Sequence, residues 1–149
     1  MKDMYFDEVS CRYVLIEEFV KEETGIDLGA WLNTFGDANP SNVPKRFLKR
    51  VSMEIYNYIE KRTFKNRLLI NAEIAAPHKR QMFREALLNQ VMYMVNSGDY
   101  GLQSGVNLKD GRAMSLAELR GDVRVSPDAI DCLLNGGFLY AGNMDGGAI

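Results

Sequence analysis

Apolar residues recur at steps of three and four in four stretches of this chain, and between them the pattern breaks into polar runs rich in glycine, proline and asparagine. In the first, Tyr13, Ile16, Phe19 and Val20 predict one short amphipathic helix within 12–32, broken at Thr24–Gly25, with a further helical turn around Gly29 to Leu32. In the second, Phe47, Leu48, Val51, Ile55, Tyr58 and Ile59 mark one face of a helix over three turns. Ser41 or Asn42 is its expected N-cap and Pro44 falls in its first turn, where a missing N–H does little harm. Lys45, Arg46, Lys49, Arg50, Glu54 and Glu60 lie mostly around the other face.

The third stretch carries the broadest stripe: Met82, Phe83, Ala86, Leu87, Val91, Met94 and Val95 run toward a stop at Ser97–Gly98. The fourth begins at Ser126–Pro127, with serine as N-cap, turns Ala129, Ile130, Leu133 and Leu134 inward, and ends at Gly136–Gly137. The segment 63–77 stays open, because Leu68-Leu-Ile70 is too short for period to choose between helix and strand.

Residues 33–42 are dense in turn formers and read as a loop. From 98 to 125, glycines at 98, 101, 105, 111 and 121 interrupt every long periodicity, although Ser115-Leu-Ala-Glu118 has capping-box spacing for one short helix. A connection of that length is usually functional or disordered. The last stretch, 141–149, holds too little apolar mass to fold alone. The pattern predicts an all-α domain: a small helical bundle with a long inter-helix loop and a flexible C-terminal tail, its core spanning about 12–140.

Composition narrows this further. At 149 residues, 46% hydrophobic and 26% charged, the chain is the size of one domain with one core. Its formal charge of −2 lacks the cationic surplus that a phosphate-gripping protein needs. The first ten residues are too polar for a secretory signal, and no apolar run approaches the about 20 residues of a membrane helix, so a cytoplasmic protein is expected. Two distant cysteines, Cys11 and Cys132, are too few for a disulfide framework or a cysteine-rich zinc site.

Particular runs of residues add a resemblance. Glu-Glu-Phe-Val-Lys-Glu-Glu-Thr-Gly-Ile-Asp-Leu (17–28) precedes an Asn-Pro-Ser-Asn turn, an Arg-Phe-Leu-Lys-Arg-Val helix and a Tyr-Ile element ahead of Thr-Phe. Glu-Ala-Leu-Leu-Asn-Gln-Val-Met-Tyr then leads to Gly-Asp, and Ala-Ile-Asp-Cys-Leu-Leu-Asn-Gly-Gly-Phe closes the series. In that order, over roughly Tyr13 to Tyr140, the chain resembles the head-tail connector (adaptor, head-completion) proteins of tailed bacteriophages, especially of phages of Gram-positive hosts. The resemblance implies a structural virion protein with no catalytic activity and no cofactor. In this family about twelve copies usually form a closed ring beneath the portal protein. The ring extends the channel through which DNA passes without sequence-specific binding, and meets a tail or head-completion protein. Such a protein is made in the host cytoplasm and ends in the virion.

The chemistry-bearing residues are few. His78 is the sole histidine and reads as a loop or capping residue, since a zinc site needs three or four ligands and a triad needs a neighbouring nucleophile. The glycines of 98–121 lack the Gly-Lys-Ser/Thr of a phosphate loop. Glu17, Glu18, Glu22 and Glu23 read as a solvated helix face. No catalytic, metal or cofactor residue is assigned. An enzyme survives only as a reading of an unrecognised site in 63–77.

Lys45–Arg46, Lys49–Arg50 and Lys61–Arg62 concentrate positive charge, which supports an alternative: a small helical DNA-binding or packaging regulator using the basic face of helix 43–62. A recognition helix, however, usually follows a short turn, and here a long loop precedes it. Under the connector reading that face meets an acidic patch of a neighbour. The expected assembly interface comprises Lys45, Arg46, Lys49 and Arg50, with Met92 and Tyr93 at the side of the third stripe. Tyr100, Leu102 and Leu108 of the long loop complete it, together with Phe138, Leu139 and Tyr140 at the start of the tail.

Overall fold

A computed structural model of the chain describes residues 2–34, 43–97 and 125–140. It opens on a hairpin, β1 (Met4–Asp7) against β2 (Arg12–Leu15), antiparallel with Met4 opposite Leu15 and Asp7 opposite Arg12. Six helices follow among the described residues: α1 (Glu17–Thr24), α2 (Leu28–Asn33), α3 (Pro44–Arg62), α4 (Arg67–Ile74), α5 (Pro77–Ser97) and α6 (Pro127–Asn135). The all-α expectation is therefore corrected to a mostly helical domain carrying a two-stranded sheet, and its core begins at Met4, not at residue 12.

The correction has a physical cause. Tyr13 stands three residues before Ile16 and so joins the helical period of α1, but its backbone is claimed elsewhere: its N–H donates to the Tyr56 hydroxyl at 2.9 Å, and its carbonyl accepts from the Ser52 hydroxyl. The hairpin turn is closed by Asp7, whose carboxylate accepts from the Ser10 hydroxyl at 2.6 Å, and passes through Cys11 at φ 58°, a strained value for a residue other than glycine. Helix begins only at Glu17, and Gly25 at φ 77° ends it after Thr24 as the sequence predicts. The turn expected near Gly29 is α2, capped by the Asp27 carboxylate on the Ala30 N–H.

Helix α3 buries Phe47, Leu48, Val51, Ile55, Tyr58 and Ile59, the stripe read from the sequence. Its N-cap position is filled by Val43, with no side-chain cap bond, and the two expected caps, Ser41 and Asn42, lie outside the described residues. Pro44 does stand in the first turn. The open segment 63–77 contains α4, whose N-cap is Asn66 (side chain on Leu69 N–H) and which buries Ile70 and Ile74, one turn apart. Helix α5 lies between α3 and α6, and its contact with α6 is the most extensive between helices. Phe83 of α5 sits edge-on to Tyr56 at 5.3 Å and against Phe138 at 5.5 Å, all three rings buried. Met94 is in the core as expected, whereas Met82 and Val95 are half-buried.

Helix α6 is capped by the Ser126 hydroxyl on the N–H groups of Asp128 and Ala129. Ala129 and Leu133 face inward and Ile130 packs on the core, but Leu134 does not: it is 45% exposed. A Cβ at Gly136 would stand 2.8 Å from Cβ of Met82, so only glycine lets the end of α6 approach α5 this closely. The calls on 98–124 and 141–149, namely the long loop, the short helix at Ser115 and the flexible tail, lie outside the described residues.

Candidate assembly surfaces

The N-terminal half of α3 presents Lys45, Arg46 and Lys49 to solvent, with Arg50 half-buried. Two of the four are drawn toward the hairpin. The Lys45 ammonium lies 5.5 Å from the centre of the Tyr5 ring, and Lys49 Nζ stands 3.9 Å from Asp7 Oδ1. Hydrogen bonds from Ser10, with Lys49 adding its charge, hold the Asp7 carboxyl below the usual carboxylate range. The basic face is thus partly neutralised by its own chain.

Beside it the chain leaves a hollow of about 260 Å³ between the hairpin, the start of α1 and the first turn of α3. Leu15 and Leu48 are part of its lining, and Glu17, Glu18 and Lys45 are its charged residues. The Tyr5 hydroxyl, buried here, has no hydrogen-bond partner among the described residues, and burial, with Asp7 nearby, raises its pKa so that it remains a donor.

At the other end of α3 the chain exposes apolar surface. Phe64 is 95% exposed, Leu68 74% and Leu69 47%. No period exposed this cluster in the sequence, yet a signal was present: once Ile70 and Ile74 define the inward face of a helix, Leu68 and Leu69 are apolar residues in surplus. Single exposed hydrophobes are ordinary, but three within six positions concentrate apolar surface in one short segment.

The remaining expected interface residues separate. Met92 and Tyr93 are half-buried on α5, and Tyr93 packs against the core. Tyr100, Leu102 and Leu108 lie outside the described residues. Tyr140 is exposed and Leu139 half-buried. Phe138 is a correction: it is fully buried on Phe83, because the turn after α6 folds back into the core instead of leaving as tail.

Two lysines hold that turn. Lys65, 7% exposed, places its ammonium 3.0 Å from Glu73 Oε2 and donates to the carbonyls of Phe138 at 3.0 Å and Gly137 at 3.3 Å. Lys79 donates to Glu73 Oε1 at 3.3 Å and to the Gly136 carbonyl at 2.7 Å, with its ammonium 4.9 Å from the centre of the Phe138 ring. A carboxylate between two cations, each also bonded to main-chain oxygens, is a structural clasp. The N-terminus is held similarly: Asp3 accepts from Arg80 at 2.7 Å and Arg84 at 3.3 Å. Burial raises the Asp3 pKa, but the bonds and charge of the two arginines outweigh this and hold it below its ordinary value.

His78 is exposed in the first turn of α5, and among the described residues no three of His, Cys, Asp and Glu come together as a metal site. Cys132 is half-buried, and burial raises its thiol pKa. Among the described residues no helix is long and apolar enough to cross a membrane. No family model, no curated protein and no solved structure matches this chain.

Proposed function

We propose that this chain is a structural subunit of the connector between head and tail of a tailed bacteriophage, assembling as a ring beneath the portal. The resemblance along Tyr13 to Tyr140 supplies the class. The observation in the fold that supports it best is the exposed cluster of Phe64, Leu68 and Leu69, apolar surface that gains free energy only when something covers it. Binding is thus the chemistry of this surface. Co-sedimentation with assembled portal protein tests the reading: the chain travels with the portal if it is right, and stays in the supernatant if it is wrong.

The second reading, DNA binding through α3, draws on the exposure of Lys45, Arg46 and Lys49. The engagement of Lys45 by Tyr5 and of Lys49 by Asp7 weighs against it, as does the net charge of −2. A gel shift at moderate salt separates the two, since a regulator retards duplex DNA and a connector subunit leaves it free.

A further inference from the structure

The hollow and the apolar patch stand at opposite ends of one helix. Lys45 and Leu48, on the first turns of α3, line the hollow, while Phe64 follows its last turn and Leu68 and Leu69 stand on α4 just beyond. A helix of 19 residues separates them by about 27 Å of axis. One copy therefore cannot fill its own hollow with its own patch through any local rearrangement, but every copy carries both.

The two features are opposite in charge, and the volume of one suits the side chain of the other. Phe64 projects almost wholly into solvent, and the hollow, with leucines in its lining, has room for a phenyl ring. Exposed Lys61 and Arg62 lie just before Phe64, the Arg62 guanidinium 4.2 Å from the centre of the Tyr58 ring, and exposed Glu17 and Glu18 lie on the wall of the hollow. The remaining charged residue of that wall, Lys45, is turned onto the Tyr5 ring.

The geometry points to a head-to-tail contact between copies of this chain, in which Phe64 and Leu68 of one copy enter the hollow of the next while Lys61 and Arg62 meet its Glu17 and Glu18. This rests on the ring reading above and specifies which surfaces make the ring. Because the two patches differ, the contact is heterologous, and repeating it generates a closed ring when the rotation between copies closes. The apolar pair supplies the buried area, and the charges set register and the rate of encounter.

The test uses the full chain and two variants whose substitutions fall on exposed residues: Phe64→Asp, with an intact hollow, and Glu17→Lys with Glu18→Lys, with an intact patch. Circular dichroism checks that both melt as folded proteins, and Leu68→Asp serves as a second patch variant. Light scattering over a concentration series then reads association. Wild type should form high-mass species at high protein concentration, and each variant alone should need at least tenfold more protein. An equimolar mixture should stop at the mass of two chains, because one good patch meets one good hollow and both remaining surfaces are defective. If wild type forms rings and Phe64→Asp forms them at the same concentration, this contact is wrong and the ring reading stands. A mixture that stays monomeric also overturns the contact. A wild-type chain that never exceeds the monomer mass overturns the contact, and if it also stays in the supernatant when mixed with assembled portal the ring reading falls with it.

Discussion

The backbone N–H of Tyr13 donates to the hydroxyl of Tyr56 at 2.9 Å, joining the hairpin to α3 across 43 positions of sequence. The same hydroxyl donates to Asn71 Oδ1 at 2.6 Å, and the Asn71 amide donates to the Cys11 carbonyl at 3.0 Å. One phenol thus ties β2, α3 and α4 together, and burial raises its pKa so that it stays a donor. Tyr56→Phe keeps the ring on Phe83 but leaves the Tyr13 N–H and the Asn71 carbonyl oxygen without this partner. The expected loss of stability is about 1–3 kcal/mol. Urea denaturation measures it, and an unchanged midpoint would show that the hairpin is held by packing alone.

The clasp at Glu73 predicts strong non-additivity. Glu73→Ala leaves the ammonium of Lys65 buried without its counter-charge, at a cost of roughly 3–5 kcal/mol. Adding Lys65→Met to that variant should recover much of the loss, since an apolar pair in such a place is often as stable as the ion pair it replaces. Thermal melts of the two singles and the double give the coupling. Additive losses would mean that Lys65 and Glu73 act independently.

Phe138 and Tyr140, two residues apart, should behave as opposites. Phe138→Ala empties a buried site against Phe83 and should cost about 3–5 kcal/mol, whereas Tyr140→Ala on an exposed residue should fall within about 0.5 kcal/mol of wild type. Chemical denaturation of both variants decides. Equal, small effects would return the turn after α6 to the tail.

Acid should release the N-terminus. The folded-state pKa of Asp3 is depressed below the ordinary aspartate value of 3.8, so its pairing with Arg80 and Arg84 contributes stability that is present above that value and is lost as pH falls through the lower folded-state value. Asp3→Asn should therefore be less stable than wild type at neutral pH, and the difference should shrink as pH falls below 3.8. Melting temperatures across an acid series give the comparison, and a difference independent of pH would assign the effect to something other than the carboxylate.

How much of this was legible in the sequence follows from how local each cause is. The stripe of α3, the middle of the α5 stripe from Phe83 to Met94 and the Ser126 cap of α6 are set by residues within a turn or two of each other, and the pattern read them correctly, while Met82 and Val95 at the ends of the α5 stripe are half-buried. The strand at Tyr13 was not legible, because Ser52 and Tyr56, some 39 and 43 positions away, claim its main-chain groups while its side chain keeps step with α1. Phe138 was read as an interface residue at the start of the tail, and its place against Phe83 depends on the close approach that Gly136 permits. The basic face of α3 was visible as charge, but the engagement of Lys45 by the Tyr5 ring and of Lys49 by the Asp7 carboxylate needed the hairpin. The patch of Phe64, Leu68 and Leu69 went unread because its residues obey no period of their own, and become conspicuous only once Ile70 and Ile74 fill the inward face of α4.

Electron microscopy of the protein mixed with assembled portal tests the central claim most directly. The account predicts a ring of copies seated coaxially on the portal and extending its channel, with density between adjacent copies. Portal particles identical to those without the protein, at concentrations where the chain is folded and in excess, would contradict it.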